Sequence, residues 1–464
     1  MKKLLFIVLL FSSQVFAEVR LPAIIGDHMV LQQKSKVKFW GWADPAEEIK
    51  IKSSWDTTTY KVKANSGGRW MLMINTPSAG GPHSISFKGW NDPIVVNDVL
   101  IGEVWVCSGQ SNMEWSGNQR LPQSLEEAPK ATNTSIRFFY IPKATSETPQ
   151  DDVKAKWVVC SPEEMKKFSA IGYFFGKKIN EVMKYPMGLI NSNWGGTPAE
   201  TWTSSEVVMA DPVLKGAAAQ LKPADWWPTA TALAYNAMIY PILNYDIAGV
   251  LWYQGESNVG TNATYEAIFT KMISSWRKGW GKEFPFYFVQ IAPYNYGNDN
   301  IDGALLREQQ TRASTFPKTG MVVVSDLVDT VTDIHPRKKV EVAQRLANIA
   351  LVETYGQTGI VWRSPSFKSM SIEKDKIRVS FNNAENGLVT KGSSPTSFYI
   401  AGSDGKYVPA LAKIDKNGTV LVWNKDIKEP QNVRFGFTNT DMPNLFSKEG
   451  LPVDLFRTDG KTSN

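Results

Sequence analysis

An α/β fold with a parallel sheet covered on both faces is predicted for the middle of this 464-residue chain, with β-sandwich regions flanking it. Between about residues 98 and 355, short apolar runs alternate with amphipathic stretches long enough for helices. On either side, runs with period-two alternation are separated by Gly, Pro, Asn and Asp. Strand–helix alternation implies parallel strands, which need helices on both faces of their sheet.

The chain begins with a segment typical of an export signal. Residues 1–17 contain two lysines, then a short apolar run, and end in Val-Phe-Ala, which suits a signal peptidase. The apolar run is too short to span a bilayer. We therefore expect a bacterial protein that is periplasmic or secreted and is not inserted in the membrane after cleavage.

The charge and the cysteine content of the chain indicate which classes of function the sequence supports. The formal net charge is +6, and removing the two signal lysines leaves +4, spread along the chain. Such a mild, dispersed charge gives little support for nucleic-acid binding. Cys107 and Cys160 lie in apolar contexts, so buried thiols are favoured over a disulfide, although an exported chain would permit one. Nothing in the sequence indicates an oligomeric state.

The predicted elements divide the mature chain into three parts. An N-terminal β-sandwich module is expected over residues 18–97, the α/β block over 98–355, and a C-terminal β-rich domain over 356–464. In the α/β block we predict strands at 101–107, 187–191, 249–253, 286–291 and 321–325, and helices at 162–183, 264–280, 304–313 and 337–355. Predicted C-terminal strands include 376–381, 397–401 and 419–423.

Candidate functional residues follow these strands, at the sheet edge where open α/β sheets bind ligands. Three strands lead into Gly-rich polar sequences, and a fourth polar sequence precedes the last helix. These are Ser-Gly-Gln-Ser-Asn-Met (108–113), Asn-Trp-Gly-Gly-Thr-Pro-Ala-Glu-Thr-Trp (193–202), Trp-Tyr-Gln-Gly-Glu-Ser-Asn (252–258) and Thr-Asp-Ile-His-Pro (332–336).

Acyl transfer needs a hydroxyl nucleophile, a base, a carboxylate that orients the base, and oxyanion donors. Only three histidines occur, and His335 alone belongs to the α/β block, with Asp333 two residues before it. A plain helix N-terminus with an aspartate cap explains the same residues and is compatible with catalysis. Two serines share a Gly-x-Ser-Asn context. We favour Ser111 over Ser257, because Glu256 beside Ser257 would oppose a developing alkoxide.

The neighbouring loops offer oxyanion donors and aromatic surfaces. The expected donors are the backbone N–H groups of Ser111, Gly195 and Gly196 and the side-chain amide of Gln254. Glu256 is expected to be a buried carboxylate, with Arg307 as its hypothetical partner. Trp194, Trp202 and Trp252 are candidates for stacking on a sugar, although core packing explains any one of these rings equally well.

Together the four sequences resemble the sialate O-acetylesterase family of SGNH/GDSL hydrolases. The flanking segments Asp-His-Met-Val-Leu-Gln (27–32), Asn-Ala-Met-Ile (236–239) and Gly-Leu-Pro (450–452) share the resemblance, which runs from near residue 18 to near residue 457. The resemblance implies a flavodoxin-like three-layer αβα hydrolase domain with flanking β-sandwich regions and no metal or organic cofactor.

The same resemblance implies site roles. It makes Ser111 the nucleophile, His335 the base, and Gly195 and Gln254 oxyanion donors, and it adds Asn236 to the expected substrate contacts. Related enzymes often place the acid three residues before the histidine, where this chain has Thr332. The orienting carboxylate is therefore Asp333, or else Asp329 or Asp326.

The implied substrate is an O-acetylated sugar or glycan, with sialic acid as the family's namesake. An acetyl xylan or xyloglucan esterase of the same fold stays open as an alternative. A carbohydrate-binding protein with an inactive hydrolase core is a further alternative, and the presence of Ser111, Gln254 and His335 together argues against it.

Overall fold

The computed structural model describes residues 18–297, 300–415 and 418–460. The predicted signal segment, residues 1–17, lies outside the described residues. In the described part of the chain no helix is long and apolar enough to cross a membrane.

An N-terminal β-rich region packs two layers of strands. The strands are β1 (Val30–Gln32), β2 (Lys36–Trp42), β3 (Glu48–Ser53), β4 (Thr59–Lys63), β5 (Arg69–Asn75), β6 (Gly80–Lys88) and β7 (Ile94–Gly109). Strands β2 and β5 pair with each other, while β4, β3, β6 and β7 form a second antiparallel sheet. Phe39 from the first layer meets Phe87 from the second edge to face, with ring centroids 5.7 Å apart.

Strand β7 continues from this region into the central sheet. Its first half pairs with β6, and its second half lies between two parallel strands of the central sheet. The predicted division at residues 97 and 98 therefore falls inside one continuous strand. The three-part domain division remains our proposal.

The central block holds the remaining parallel strands and the main helices. Its strands are β8 (Ile136–Tyr140), β9 (Trp157–Val159), β10 (Met187–Asn193), β11 (Gly249–Tyr253), β12 (Phe286–Val289) and β13 (Thr319–Val322). Its α-helices are α1 (Ser111–Glu114), α2 (Pro122–Glu127), α3 (Pro162–Lys167), α4 (Ala170–Met183), α5 (Ser205–Met209), α6 (Pro212–Ala218), α7 (Tyr265–Trp280), α8 (Asp302–Ala313) and α9 (Lys339–Ile349). Short 3₁₀- or π-helical segments lie between these elements, at Gly117–Gln119, Ala128–Lys130, Ala199–Trp202, Tyr235–Ile239, Tyr240–Ile242, Glu256–Thr264 and Ala350–Thr354.

The sheet order is β13-β12-β11-β7-β10-β8-β9, parallel except for β9. Numbering β7, β10, β11, β12 and β13 from one to five gives the order 2-1-3-4-5, which is the flavodoxin-like arrangement. Strand β7 alternates between two separate cores. Val104 and Val106 pack with the α7 side, and Trp105 and Cys107 pack with the side of α4 and α9. The predicted three-layer α/β fold is thus confirmed.

A C-terminal β-rich region completes the fold. Its strands are β14 (Ser366–Glu373), β15 (Lys376–Asn382), β16 (Leu388–Thr390), β17 (Phe398–Ala401), β18 (Val408–Pro409), β19 (Leu411–Ile414), β20 (Val420–Trp423), β21 (Asn432–Phe435), β22 (Leu445–Ser447) and β23 (Phe456–Arg457). Two four-stranded antiparallel sheets, β14-β15-β20-β19 and β18-β17-β21-β23, share one apolar core, as a β-sandwich does.

Two details differ from the predicted elements. The single helix expected at 162–183 is two helices, because Phe168 is extended and the Ser169 hydroxyl caps α4 by accepting the Gly172 N–H. Strands β8 and β9 were not predicted, and they extend the sheet beyond β10.

Candidate active site

The candidate nucleophile lies on a sharp turn at the carboxyl end of the central strand. Gly109 ends β7 with φ of +127°, and a Cβ there would lie 2.2 Å from the Tyr253 carbonyl oxygen of β11. Only glycine fits this close approach at positive φ. Gln110 is extended, and α1 begins at Ser111. The Ser111 Oγ is 2.9 Å from Nε2 of His335, a hydrogen-bonding distance.

His335 lies on the loop between β13 and α9, beside the nucleophile. The indole of Trp115 stacks on its imidazole, with centroids 4.2 Å apart and an interplanar angle of 17°. Its Nδ1 is 3.8 Å from Oδ1 of Asp333, and that oxygen accepts the backbone N–H of His335 at 2.9 Å. Asp333 therefore shapes the loop and places a negative charge near the ring, without a hydrogen bond to Nδ1.

The other candidate carboxylates are engaged elsewhere. Asp326 forms a two-pronged ion pair with Arg345 at 2.8 Å, and Asp329 lies 3.5 Å from Lys338. Asp333 is thus the carboxylate placed to act on His335. Its catalytic role stays a prediction.

A buried polar network that the sequence reasoning missed joins the nucleophile turn to the histidine loop. Asn112, directly after the serine, donates from Nδ2 to Oε1 of Glu256 at 2.7 Å and to the carbonyl of Ile334 at 3.0 Å. Its Oδ1 accepts from Nζ of Lys339 at 2.6 Å. Lys339 stands among other lysines and arginines in the sequence, so no pattern distinguished it as buried.

The hypothetical pairing of Glu256 with Arg307 is wrong. The Arg307 guanidinium is buried, but it donates to the carbonyl oxygens of Gly303 and Thr438. Glu256 is buried as expected, with Asn112 as its hydrogen-bond partner and the Lys339 charge nearby. Opposite charge and a shared block of sequence were too weak a basis for choosing the partner.

Burial sets the ionisation of this network. It raises the pKa of Glu256 and lowers the pKa of Lys339 to about 7, against the upward pull of Glu256 and Asp333 on the lysine. The pKa of His335 is also lowered, first by burial and then by the Lys339 charge, while Asp333 opposes the shift. A neutral imidazole that can accept a proton is therefore favoured at neutral pH.

Activity should fall on the acid side with a midpoint below 6.5, because the base must be neutral and its pKa is lowered from that value. Lys339 is protonated in this range, so Lys339→Met should raise the His335 pKa and move the midpoint of kcat/KM to higher pH. Lys338→Met is the matched control, since Lys338 is half-exposed and bound to Asp329. A midpoint that stays in place or moves down in Lys339→Met would refute this coupling.

Gly195 is adjacent to the nucleophile, and its N–H is already bound. A Cβ added to Gly195 would lie 3.2 Å from the Ser111 Cβ. The Gly195 N–H donates to Oε2 of Glu114 at 2.6 Å, and the other carboxylate oxygen accepts from Lys143 at 2.6 Å. An ester oxygen can use this donor only once the carboxylate has moved aside. The Ser111 N–H, in the first turn of α1, has no intrahelical acceptor.

The other two predicted donors, Gln254 and Gly196, differ in what their polar groups bind. Gln254 is fully buried, and both N–H bonds of its amide are used, for the Thr197 carbonyl at 3.2 Å and Oδ1 of Asn258 at 2.8 Å. Its predicted role as an oxyanion donor does not fit this geometry. Gly196 has φ of +81°, and its carbonyl accepts from the Ser257 hydroxyl at 2.8 Å. The Ser257 hydroxyl thus stabilises the loop that contains Gly196.

The residues expected to contact the substrate differ in whether they are buried or exposed. Trp202 and Trp252 are fully buried, and Trp202 donates to Oγ1 of Thr197, so the predicted contact of these two rings with a sugar is not met. Asn236 is buried and binds the Ser146 carbonyl, which anchors a loop. Trp194 is partly exposed, and its ring lies 5.9 Å from Nζ of Lys143. Of the four expected contacts, only Trp194 remains a candidate.

Two further tryptophans flank the site. The Trp226 carbonyl accepts the Trp194 indole N–H at 3.1 Å, and the Trp226 side chain is 81% exposed. Trp227 covers Gly196, where a Cβ would lie 2.2 Å from its ring. Their Asp-Trp-Trp-Pro sequence lies outside the Gly-rich sequences, and its clustered aromatics were the only available signal.

Cys107 and Cys160 are buried free thiols, as the apolar contexts predicted. Burial raises the pKa of Cys160 to about 11 and that of Cys107 further, so neither is a ready nucleophile. Within residues 18–297, 300–415 and 418–460, no group of three or more His, Cys, Asp or Glu side chains is arranged to hold a metal ion.

The chain is similar to known carbohydrate esterases. Residues 101–352 match the family model described as carbohydrate esterase, sialic acid-specific acetylesterase. Human sialate O-acetylesterase is 31% identical over 383 residues, which cover 75% of this chain and 73% of the relative. The mouse enzyme is 30% identical over 414 residues, covering 76% of each chain. The crystal structure of a carbohydrate acetylesterase from Xanthomonas citri superposes with a TM-score of 0.87 at 33% identity, covering 95% of this chain and all of the other.

Proposed function

Since this chain belongs to the sialic acid-specific acetylesterase family of carbohydrate esterases, we propose that it hydrolyses O-acetyl esters of sugars with Ser111 as nucleophile and His335 as base. The observation that carries the proposal is the 2.9 Å contact between the Ser111 Oγ and Nε2 of His335. A retained serine–histidine contact also argues against a purely carbohydrate-binding function.

The proposed reaction has two steps. The Ser111 Oγ attacks the acetyl carbonyl carbon while His335 takes the hydroxyl proton. The bond between the carbonyl carbon and the sugar oxygen then breaks, and His335 gives its proton to that oxygen. Water attacks the acetyl-serine with His335 again as base, which releases acetate and restores the serine.

Groups around Ser111 and His335 have supporting roles in the proposed reaction. The backbone N–H groups of Ser111 and Gly195 are the proposed donors to the developing oxyanion, the second after displacement of Glu114. Asp333 favours the imidazolium form of His335 through its charge. Trp115 fixes the plane of the imidazole by stacking on it.

O-acetylated sialic acid is the substrate we propose first, because the family model and the mammalian relatives carry that specificity in their names. Acetylated xylan or xyloglucan is the second candidate, favoured by the exposed Trp226 beside the site, since flat aromatic rings pack against sugar faces. Acetate release from O-acetylated sialosides, acetyl xylan and acetylated xyloglucan oligomers separates the two. The absence of acetate from every one of these substrates would overturn the proposed function.

Trp226→Ala should raise KM for the preferred acetylated glycan about tenfold and leave turnover of p-nitrophenyl acetate within twofold. About 1–2 kcal/mol of aromatic contact would be lost, and a small ester does not reach that ring. Trp90→Ala, which alters another exposed tryptophan, is the control. Equal KM values for Trp226→Ala and the unaltered enzyme would remove Trp226 from the binding site.

We also propose that the protein is exported, to the periplasm or the medium, on the basis of its first seventeen residues. Fractionation of cells that express the protein with or without those residues tests whether the residues direct its export.

A further inference from the structure

The carboxylate of Glu114 binds a hydrogen-bond donor that the proposed reaction needs. Its Oε2 accepts the backbone N–H of Gly195 at 2.6 Å, and that N–H is one of the two proposed oxyanion donors. A Cβ added to Gly195 would lie 3.2 Å both from this Oε2 and from the Ser111 Cβ. A negative charge thus lies next to the proposed nucleophile, where the oxyanion would develop.

Such a charge opposes ester hydrolysis in two ways. While the Gly195 N–H binds the carboxylate at 2.6 Å, a carbonyl oxygen cannot use the same hydrogen. The carboxylate also repels the negative charge that forms on the carbonyl oxygen in the transition state. The side chain of Glu114 must therefore leave Gly195 before Ser111 reacts.

The surrounding contacts fix the donor and leave the carboxylate able to move. The Trp194 N–H binds the Gly109 carbonyl at 3.0 Å, which holds the donor's loop against the end of β7. The Glu114 backbone N–H binds the Gln110 carbonyl at 3.0 Å, so its main chain is held in α1. Its side chain is 26% exposed and pairs with Lys143, which is 44% exposed. Rotation of the side chain toward solvent thus needs no change in the backbone.

Lys143 keeps the displaced carboxylate near the site. Its Nζ donates to Oε1 of Glu114 at 2.6 Å, the oxygen that does not bind Gly195, and lies 5.9 Å from the ring centroid of Trp194. The ion pair can therefore persist while Oε2 turns away from Gly195. Oε2 is then an acceptor that has lost its donor, beside a partly exposed aromatic ring.

A sugar hydroxyl is the donor that suits this acceptor. An ionised carboxylate only accepts hydrogen bonds, and those from hydroxyl groups are short and strong. The nearest donor that a sugar ester carries is the hydroxyl on the carbon next to the acetylated one. An ester with that hydroxyl replaces the hydrogen bond that Glu114 loses, whereas an ester without it leaves the carboxylate to water.

We propose that Glu114 selects acetyl esters with a free hydroxyl on the adjacent sugar carbon, because its carboxylate blocks the Gly195 N–H until such a hydroxyl binds it. The inference rests on the proposed function and deepens it, since it specifies the substrate as a partly acetylated sugar. It predicts slower turnover of esters that lack a neighbouring hydroxyl, such as p-nitrophenyl acetate and fully acetylated sugars.

Glu114→Ala should change the two kinds of ester in opposite directions. We expect kcat/KM for p-nitrophenyl acetate to rise about threefold or more, because the Gly195 N–H becomes free. For a partly acetylated sugar it should fall about threefold or more, because the sugar hydroxyl loses its acceptor. A carboxylate that only supported the loop would lower both values on removal. Glu114→Gln should act in the same directions to a smaller extent, since its amide oxygen still accepts.

Asp211→Ala is the matched control. Asp211 binds Lys271 at 2.6 Å and the backbone N–H of Val213 at 2.9 Å, and the two side chains of the ion pair are 23% and 46% exposed. This pair lies on α6 and α7, outside the candidate active site. We expect Asp211→Ala to leave the turnover of both kinds of ester within about twofold, as for a surface ion pair.

The test compares initial rates of acetate release from mono-O-acetylated and fully O-acetylated forms of methyl xyloside and of N-acetylneuraminic acid. The unaltered enzyme should prefer the monoacetate of the sugar it hydrolyses by about fivefold or more per ester group, and Glu114→Ala should reduce this preference to about twofold or less. Acetate release without such a preference, or slower turnover of p-nitrophenyl acetate by Glu114→Ala, would overturn this inference alone. No acetate from any of the four sugars would overturn the proposed function itself.

Discussion

Ser111→Ala should lower kcat for p-nitrophenyl acetate by about 10⁴-fold or more, because it removes the atom that forms the acyl-enzyme. The fold should survive, since the side chain loses a single oxygen at a partly exposed position. Stopped assays for acetate and a thermal melt of the same sample measure the two effects together. Near-native turnover by the variant would remove Ser111 from the mechanism.

Ser257→Ala is the matched control, because both serines follow a Gly-x sequence at a strand end and precede an asparagine. The Ser257 hydroxyl binds the Gly196 carbonyl, so its loss costs about 1 kcal/mol of loop stability. We expect its kcat to stay within several-fold of the unaltered enzyme. A collapse of activity in Ser257→Ala alone would reverse the choice of nucleophile.

His335→Ala should reduce kcat by about 10³-fold or more, because the serine hydroxyl then loses the base 2.9 Å away. His28→Ala serves as the control. Nδ1 of His28 lies 2.6 Å from Asp98, a tighter histidine–carboxylate pair than that of His335, but it belongs to the N-terminal region. Activity should therefore depend on His335 and not on His28.

Asp333→Asn tests the third member of the site in the same assay. Because Asp333 lies 3.8 Å from Nδ1 of His335, it acts on the ring by charge and through the loop, and we expect a loss well short of that in His335→Ala. Equal losses in the two variants would contradict a role limited to charge and loop support.

Periodicity was sufficient to predict five of the parallel strands, β7, β10, β11, β12 and β13, since strands of this sheet are largely apolar and the long helices are amphipathic, but it missed β8. The strand predicted at 249–253 matches β11. The break before α4 was missed, because a capping serine inside an amphipathic stretch resembles any other polar position. Strand β9 has only three residues, too few for a periodic signal.

Site residues could be predicted where the residue type is rare in the chain, and not where several residues offer the same chemistry. With three histidines in the chain, His335 was identified by elimination, and its partner serine followed from the strand ends. Gln254 and Trp202 lie in equally suggestive sequences, but the chain turns both side chains into the interior. Which way a loop residue points depends on tertiary packing, which sequence spacing does not encode.

The buried network explains why the two halves of the site stay together. The nucleophile turn follows β7 and the histidine loop follows β13, and Asn112 bridges them by binding both Glu256 and the Ile334 carbonyl. Lys339 completes the bridge, and the pKa of the histidine is lowered first by burial and then by the Lys339 charge. One set of contacts therefore supports both the position and the ionisation of the base.

Labelling with a fluorophosphonate shows which serine is the reacting nucleophile. This reagent is attacked by an activated serine and stays bound. Peptide mass spectrometry should place the adduct on Ser111, with activity lost in proportion to labelling and no adduct at this site in Ser111→Ala. An adduct on Ser257, or full activity after complete labelling of Ser111, would contradict the account.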